Sequence, residues 1–237
     1  MTAASLSELH REIERSLVAK ADASYRLQIE RLVPGIRTIG VRVPKIRALA
    51  SDFARRHKGI TMEKLESLME QCCATGSRDQ ILFGAFLLAR SKKQLAALSW
   101  QSVERWTRAI DNWETCDQIA MSIAAPLVAA ESSLVARLVA LARDKNLWRR
   151  RFALATAAAL NQHGRRLPEA TLAVCRHVVA DEEPMVQKAL AWAVREVCKN
   201  DAPLARDFLT RHRNALPARV LKAAAAKLAP AARRKRL

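Results

Sequence analysis

Residues 147–162, LWRRRFALATAAALNQ, and residues 184–199, PMVQKALAWAVREVCK, are two versions of one pattern. Each opens on a large apolar residue, Trp148 or Met185, sets a base three positions on, Arg151 or Lys188, and continues as an Ala-rich stripe. The openings lie 37 residues apart, and Trp113, also at a helix start, precedes Trp148 by 35. Apolar residues recur at helical rather than alternating spacing. Helices repeated at this period, none able to bury its stripe alone, predict stacked HEAT-like pairs. The expected fold is all-α: a right-handed superhelical solenoid whose inner helices line one concave basic face. An irregular helical bundle is the other architecture open to the same segments.

Outward from this pair, the periodicity predicts helices along the whole chain, including Pro44–Arg56, Arg78–Ala89, Lys93–Leu98, Glu114–Ala130 and Pro217–Leu228. Pro44, Pro168, Pro184 and Pro217 suit first-turn positions, where the missing N–H is of no consequence. Asp79, Glu114 and Glu182 place acids near helix starts, as the helix dipole favours. Six Gly and one Tyr among 237 residues leave little material for a many-stranded sheet, and a half-hydrophobic chain excludes disorder as its ground state. No apolar run is long enough for a membrane span, and MTAASLSELHREIERS lacks a signal-peptide core. The expectation is one domain, 1–229, with a basic tail at 230–237, in a cytoplasmic monomer.

Lys and Arg number 41 against 23 Asp and Glu, a net charge of +18. Such an excess repels itself in a compact state and is relieved by a polyanion, which points to nucleic acid. The run Arg149, Arg150, Arg151 opposes the dipole of its own helix start unless an anion binds there, and helix N-termini accept phosphate readily. Cys72, Cys73, Cys116, Cys175 and Cys198 form no C-x-x-C pair, and the five histidines are scattered. Zinc, iron–sulfur and disulfide frameworks therefore lack their signal, and the thiols read as small apolar residues. No cofactor is expected.

The segment IDNWETCDQIAM, 110–121, carries the chemistry. Trp113 and Asp117 are four apart and share a helix face. An indole face beside a carboxylate suits a cationic aromatic ligand, although Trp as core and Asp as a solvated residue is the commoner use of such a pair. On KALAWAVREV, Trp192 stands between Lys188 and Arg195 on one face.

GVRVPKIR (40–47), DNWETCD (111–117), NLWRRRFA (146–153) and QKALAWAVRE (187–196), in this order, resemble the AlkD family of bacterial DNA alkylation-repair glycosylases. The resemblance runs from roughly residue 25 to 225. It implies a HEAT-like fold and excision of cationic N3- and N7-alkylpurines from double-stranded DNA, without metal or nucleotide cofactor. It also implies Asp117 as the catalytic carboxylate, with Trp113 and Trp192 as the aromatics beside the lesion. DNA contacts fall on Arg151, Arg195, Lys188 and Arg47, with Arg149 and Arg150 beside them. Tyr25 matches an early family tyrosine, though the loop that follows is longer in this chain.

These readings converge on a monofunctional alkylpurine-DNA glycosylase of base-excision repair. The alternative is a non-catalytic HEAT-like protein that recognises bent or branched DNA by charge and shape. Asp117 favours the enzyme, since phosphate binding has no use for an acid.

Overall fold

The computed structural model describes residues 5–91, 95 and 97–228. The helix expected at Lys93–Leu98 rests on residues outside these, as does the basic tail. The chain divides into two compact units, Met1–Leu127 and Val128–Leu237. The first holds α1 (Leu6–Val18), α2 (Ala23–Leu32), α3 (Val43–Arg56), α4 (Met62–Ala74), α5 (Arg78–Arg90), α6 (Trp100–Trp106) and α7 (Trp113–Ile119). A π-helical turn, Ala120–Ala124, continues α7 into α8 (Ala125–Ala130), within which the units divide. The second holds α9 (Val135–Ala142), α10 (Leu147–Ala159), α11 (Pro168–Cys175), α12 (Pro184–Asn200), α13 (Ala202–Arg211) and α14 (Ala218–Leu228). The described residues contain no strand.

The repeat expected from two helix openings extends to six. Helices α3, α5, α7, α10, α12 and α14 start at 43, 78, 113, 147, 184 and 218. In the first unit α5 packs on α3, α4 and α7; in the second α12 packs on α10 and α14. Each unit thus stacks its repeated helices on sequence neighbours, as a helical repeat fold requires.

Packing follows the apolar spacing. Leu9, Ile13 and Leu17 stand at four-residue intervals on α1 and are fully buried, below a capping box made by Ser5 and Glu8. On α10, Ala153, Ala155, Ala157, Ala158 and Ala159 are fully buried, so methyl groups replace larger side chains where α12 crosses. Gly84 does the same on α5: a Cβ there would lie 2.6 Å from the Met69 sulfur. Each fully buried Leu or Ile contributes about 1.5–3 kcal/mol over exposure.

Two sequence expectations need correction. Glu114–Ala130 is not one α-helix, because the Ala120–Ala124 turn widens to π geometry. Pro217 stands just before α14 instead of in its first turn, its carbonyl accepting from the Val220 N–H at 2.9 Å.

Candidate functional site

Helix α7 is anchored at its first residue. The Asn112 side chain, buried, accepts from the backbone N–H of Glu114 at 3.1 Å and of Thr115 at 3.0 Å, and donates to Asp111 at 2.8 Å. Thr115, Cys116 and Ile119 point into the core. That leaves Trp113 and Asp117, both half-buried, one turn apart on another face. The π turn begins three residues after Asp117. Such turns recur at functional sites because the widened ring re-aims the side chains around it.

Beside Trp113, Glu114 reaches toward the start of α5. Arg78, wholly buried at the start of α5, gives Nε to Glu114 Oε2 at 2.6 Å and Nη2 to Oε1 at 2.8 Å. Its Nη1 serves the Val41 carbonyl and Asp79 Oδ1, both at 3.0 Å, and Nη2 also reaches the Tyr25 hydroxyl at 3.3 Å. Asp79, equally buried, accepts from Thr38 Oγ1, Ile39 N and Val41 N at 2.6–2.8 Å. Burial alone would push the Arg78 pKa down; the Glu114 carboxylate, with Asp79 and Tyr25, outweighs it and holds the guanidinium above its usual value. Asp79 and Glu114 therefore do more than face helix dipoles: they enclose a buried cation.

Tyr25 stands on α2 within this network. Asp22 caps α2, accepting from the Tyr25 N–H at 3.0 Å and from Ser24 Oγ at 2.7 Å. These two bonds, ahead of Arg42, bring its pKa down to about 2. The Arg42 guanidinium covers the Tyr25 ring at 4.7 Å and pairs with Asp22 at 3.2 Å. Gly40, at φ +89°, lets the loop close here: a Cβ would lie 2.6 Å from Arg26 Cβ. Arg47 lies apart, exposed on α3 with its guanidinium 4.9 Å from the Phe86 ring centre.

In the second unit, α12 carries exposed Lys188 with half-buried Trp192 and Arg195. Arg195 also lies 3.6 Å from Glu196. Arg151 is only 6% exposed and donates to the Met185 carbonyl in the first turn of α12 at 2.7 Å, so α10 braces the turn preceding Lys188. Arg149 pairs with Asp144 at 2.7 Å. Arg150 gives Nε to Asp181 at 2.6 Å and Nη1 to the carbonyls of Asp144 and Lys145. The bases that oppose the α10 dipole thus meet acids and carbonyls of the neighbouring loops.

A family model described as DNA alkylation repair enzyme matches residues 13–228. The chain belongs to this family. Among curated proteins no match was found. The solved structure of a predicted DNA alkylation repair enzyme from Enterococcus faecalis is similar, with a TM-score of 0.73 at 16% identity, over 90% of this chain and 98% of that one. At that identity the likeness speaks for the fold.

As a member of the alkylation repair family, the protein has a function in DNA alkylation repair, and its match spans both units. No group of His, Cys, Asp and Glu among the described residues is arranged to hold a metal ion, and none of their helices is long and apolar enough to cross a membrane. The family's four sequence motifs omit Arg78 and Asp79, which α5 places at the same repeat position as Trp113 and Glu114 on α7. The 35-residue offset between them is the signal that would have found them.

Proposed function

We propose that this protein is a monofunctional DNA glycosylase that hydrolyses the N-glycosidic bond of N3- or N7-alkylated purines in duplex DNA. The observation that carries the reading is the half-buried carboxylate of Asp117 one turn from the Trp113 indole. Alkylation at N7 or N3 makes the purine a cation, so it leaves with the bonding electron pair as a neutral base and needs no strong general acid. The deoxyribose becomes oxocarbenium-like as the C1′–N bond breaks. An ionised carboxylate stabilises that charge and orients the water whose oxygen bonds to C1′, the water's proton passing to Asp117 or to solvent. Trp113 and Trp192 would supply cation–π contacts of about 0.5–2 kcal/mol each. Exposed Lys188 and Arg47, with Arg195, would meet phosphates, while Arg149, Arg150 and Arg151 hold the helix starts that present them.

Single-turnover release of N7-methylguanine from methylated duplex tests the reading. Asp117→Asn removes one charge at nearly constant shape. The rate is expected to fall by about 10²–10³, with binding to the same duplex retained. A rate within about threefold of wild type at full binding would retire Asp117 and leave a DNA-binding module.

A further inference from the structure

We propose that Arg78 is a positioning residue, its buried guanidinium fixing Tyr25 relative to the first turn of α7 and hence to the Trp113–Asp117 face. The inference rests on the glycosylase reading and adds to it a residue outside the family's motifs. Three observations carry it. The guanidinium is wholly buried, and its fork makes two parallel bonds to Glu114, a geometry that fixes direction as well as distance. Glu114 adjoins Trp113 and lies three residues before Asp117, so the bonded turn is the one that aims both side chains. The same guanidinium nitrogen that holds Glu114 Oε1 also holds the Tyr25 hydroxyl.

The arrangement is more than a brace for α7. Asn112 already caps that helix, and Cys116 and Ile119 bury its inner face. To these the bidentate bond from a buried guanidinium adds a directional restraint on the turn that carries Trp113 and Asp117. Positioning errors of this kind act on the chemical step more than on binding.

Three variants test this: Glu114→Gln, Arg78→Lys and Tyr25→Phe. Glu114 is 18% exposed at its side chain and its amide keeps one acceptor, so Glu114→Gln keeps the proposal testable even where Arg78→Lys loses stability. Saturating single-turnover excision of N7-methylguanine and duplex binding are measured at a temperature where circular dichroism shows each variant folded. Glu114→Gln and Arg78→Lys should each slow the chemical step about tenfold with affinity within about twofold. Glu114→Asp, which restores a carboxylate, should recover part of the rate. Tyr25→Phe in the Arg78→Lys background should cost less than in wild type, because the hydroxyl has already lost its anchor. A lowered melting temperature with unchanged saturating rates would overturn the proposal and leave Arg78 a fold brace. Fully multiplicative Tyr25 and Arg78 effects would overturn the link to Tyr25. If wild type releases no alkylpurine, the glycosylase reading fails instead, and the two failures are distinct.

Discussion

Residues 1–127 carry 19 Lys and Arg against 14 Asp and Glu, a net +5, whereas residues 128–237 carry 22 against 9, a net +13. The first unit encloses one cation, Arg78, between Asp79 and Glu114, while pairs such as Arg105–Glu70 stay exposed. In the second, Arg149 meets Asp144 and Arg150 meets Asp181 at loop edges, and Arg211 meets Asp207 on an exposed helix face. There even His177 is held below its usual pKa, by burial and then by Arg143 and Arg176. Attraction for a polyanion is thus concentrated in one unit, and the carboxylate read as catalytic stands in the other.

The largest effect expected from this contrast is on stability. Arg78→Met leaves Asp79 and Glu114 without their cation and should cost about 3–5 kcal/mol. Arg150→Met, at a side chain 16% exposed, should cost about 1.5–2 kcal/mol through lost charged hydrogen bonds. Urea unfolding of both variants measures the gap; equal losses would mean that the two units hold their charge pairs alike.

Binding sharpens the contrast from the other side. Lys188→Ala should weaken association with every duplex sequence to a similar degree and lower the salt slope by about one. Asp117→Asn should leave that slope unchanged. Titrations of both variants across a range of salt check this, and a matching fall in slope for Asp117→Asn would place Asp117 among the binding determinants.

The smallest effect is acidic and local. The Asp22 pKa lies below its ordinary value, at about 2, so its contribution to α2 is complete above the ordinary value of 3.8 and is lost as pH falls through about 2. Tyr25 is the sole tyrosine, and its ring resonances report on the neighbourhood that Asp22 caps. They should shift in that acid window in wild type and much less in Asp22→Asn. Equal shifts in both would assign the transition to other groups.

The repeated helix starts are legible in the sequence because Pro44 and Pro184 mark two of them and apolar spacing fills them all. So is the placing of Trp113 and Asp117 on one face, which needs only helical geometry. The π turn is not legible, since AMSIA at 120–124 has the composition of ordinary helix. Nor is the burial of Arg78 and Asp79: an Arg–Asp pair at a helix start reads the same solvated or enclosed, until Glu114 and the loop at 38–41 are folded onto it. The contacts of the bases at 149–151 are illegible for a related reason. Their partners, Asp144, Asp181 and the Met185 carbonyl, lie in neighbouring loops and helices, where no local pattern announces them.

All five cysteines are buried, and burial pushes the pKa of Cys72, Cys73, Cys175 and Cys198 upward. Thiolate is the nucleophilic form of cysteine. The electrophiles that methylate purine nitrogens also methylate thiolates. A repair protein works while those reagents are still present in the cell, and none of the five cysteines of this one offers them an accessible thiolate.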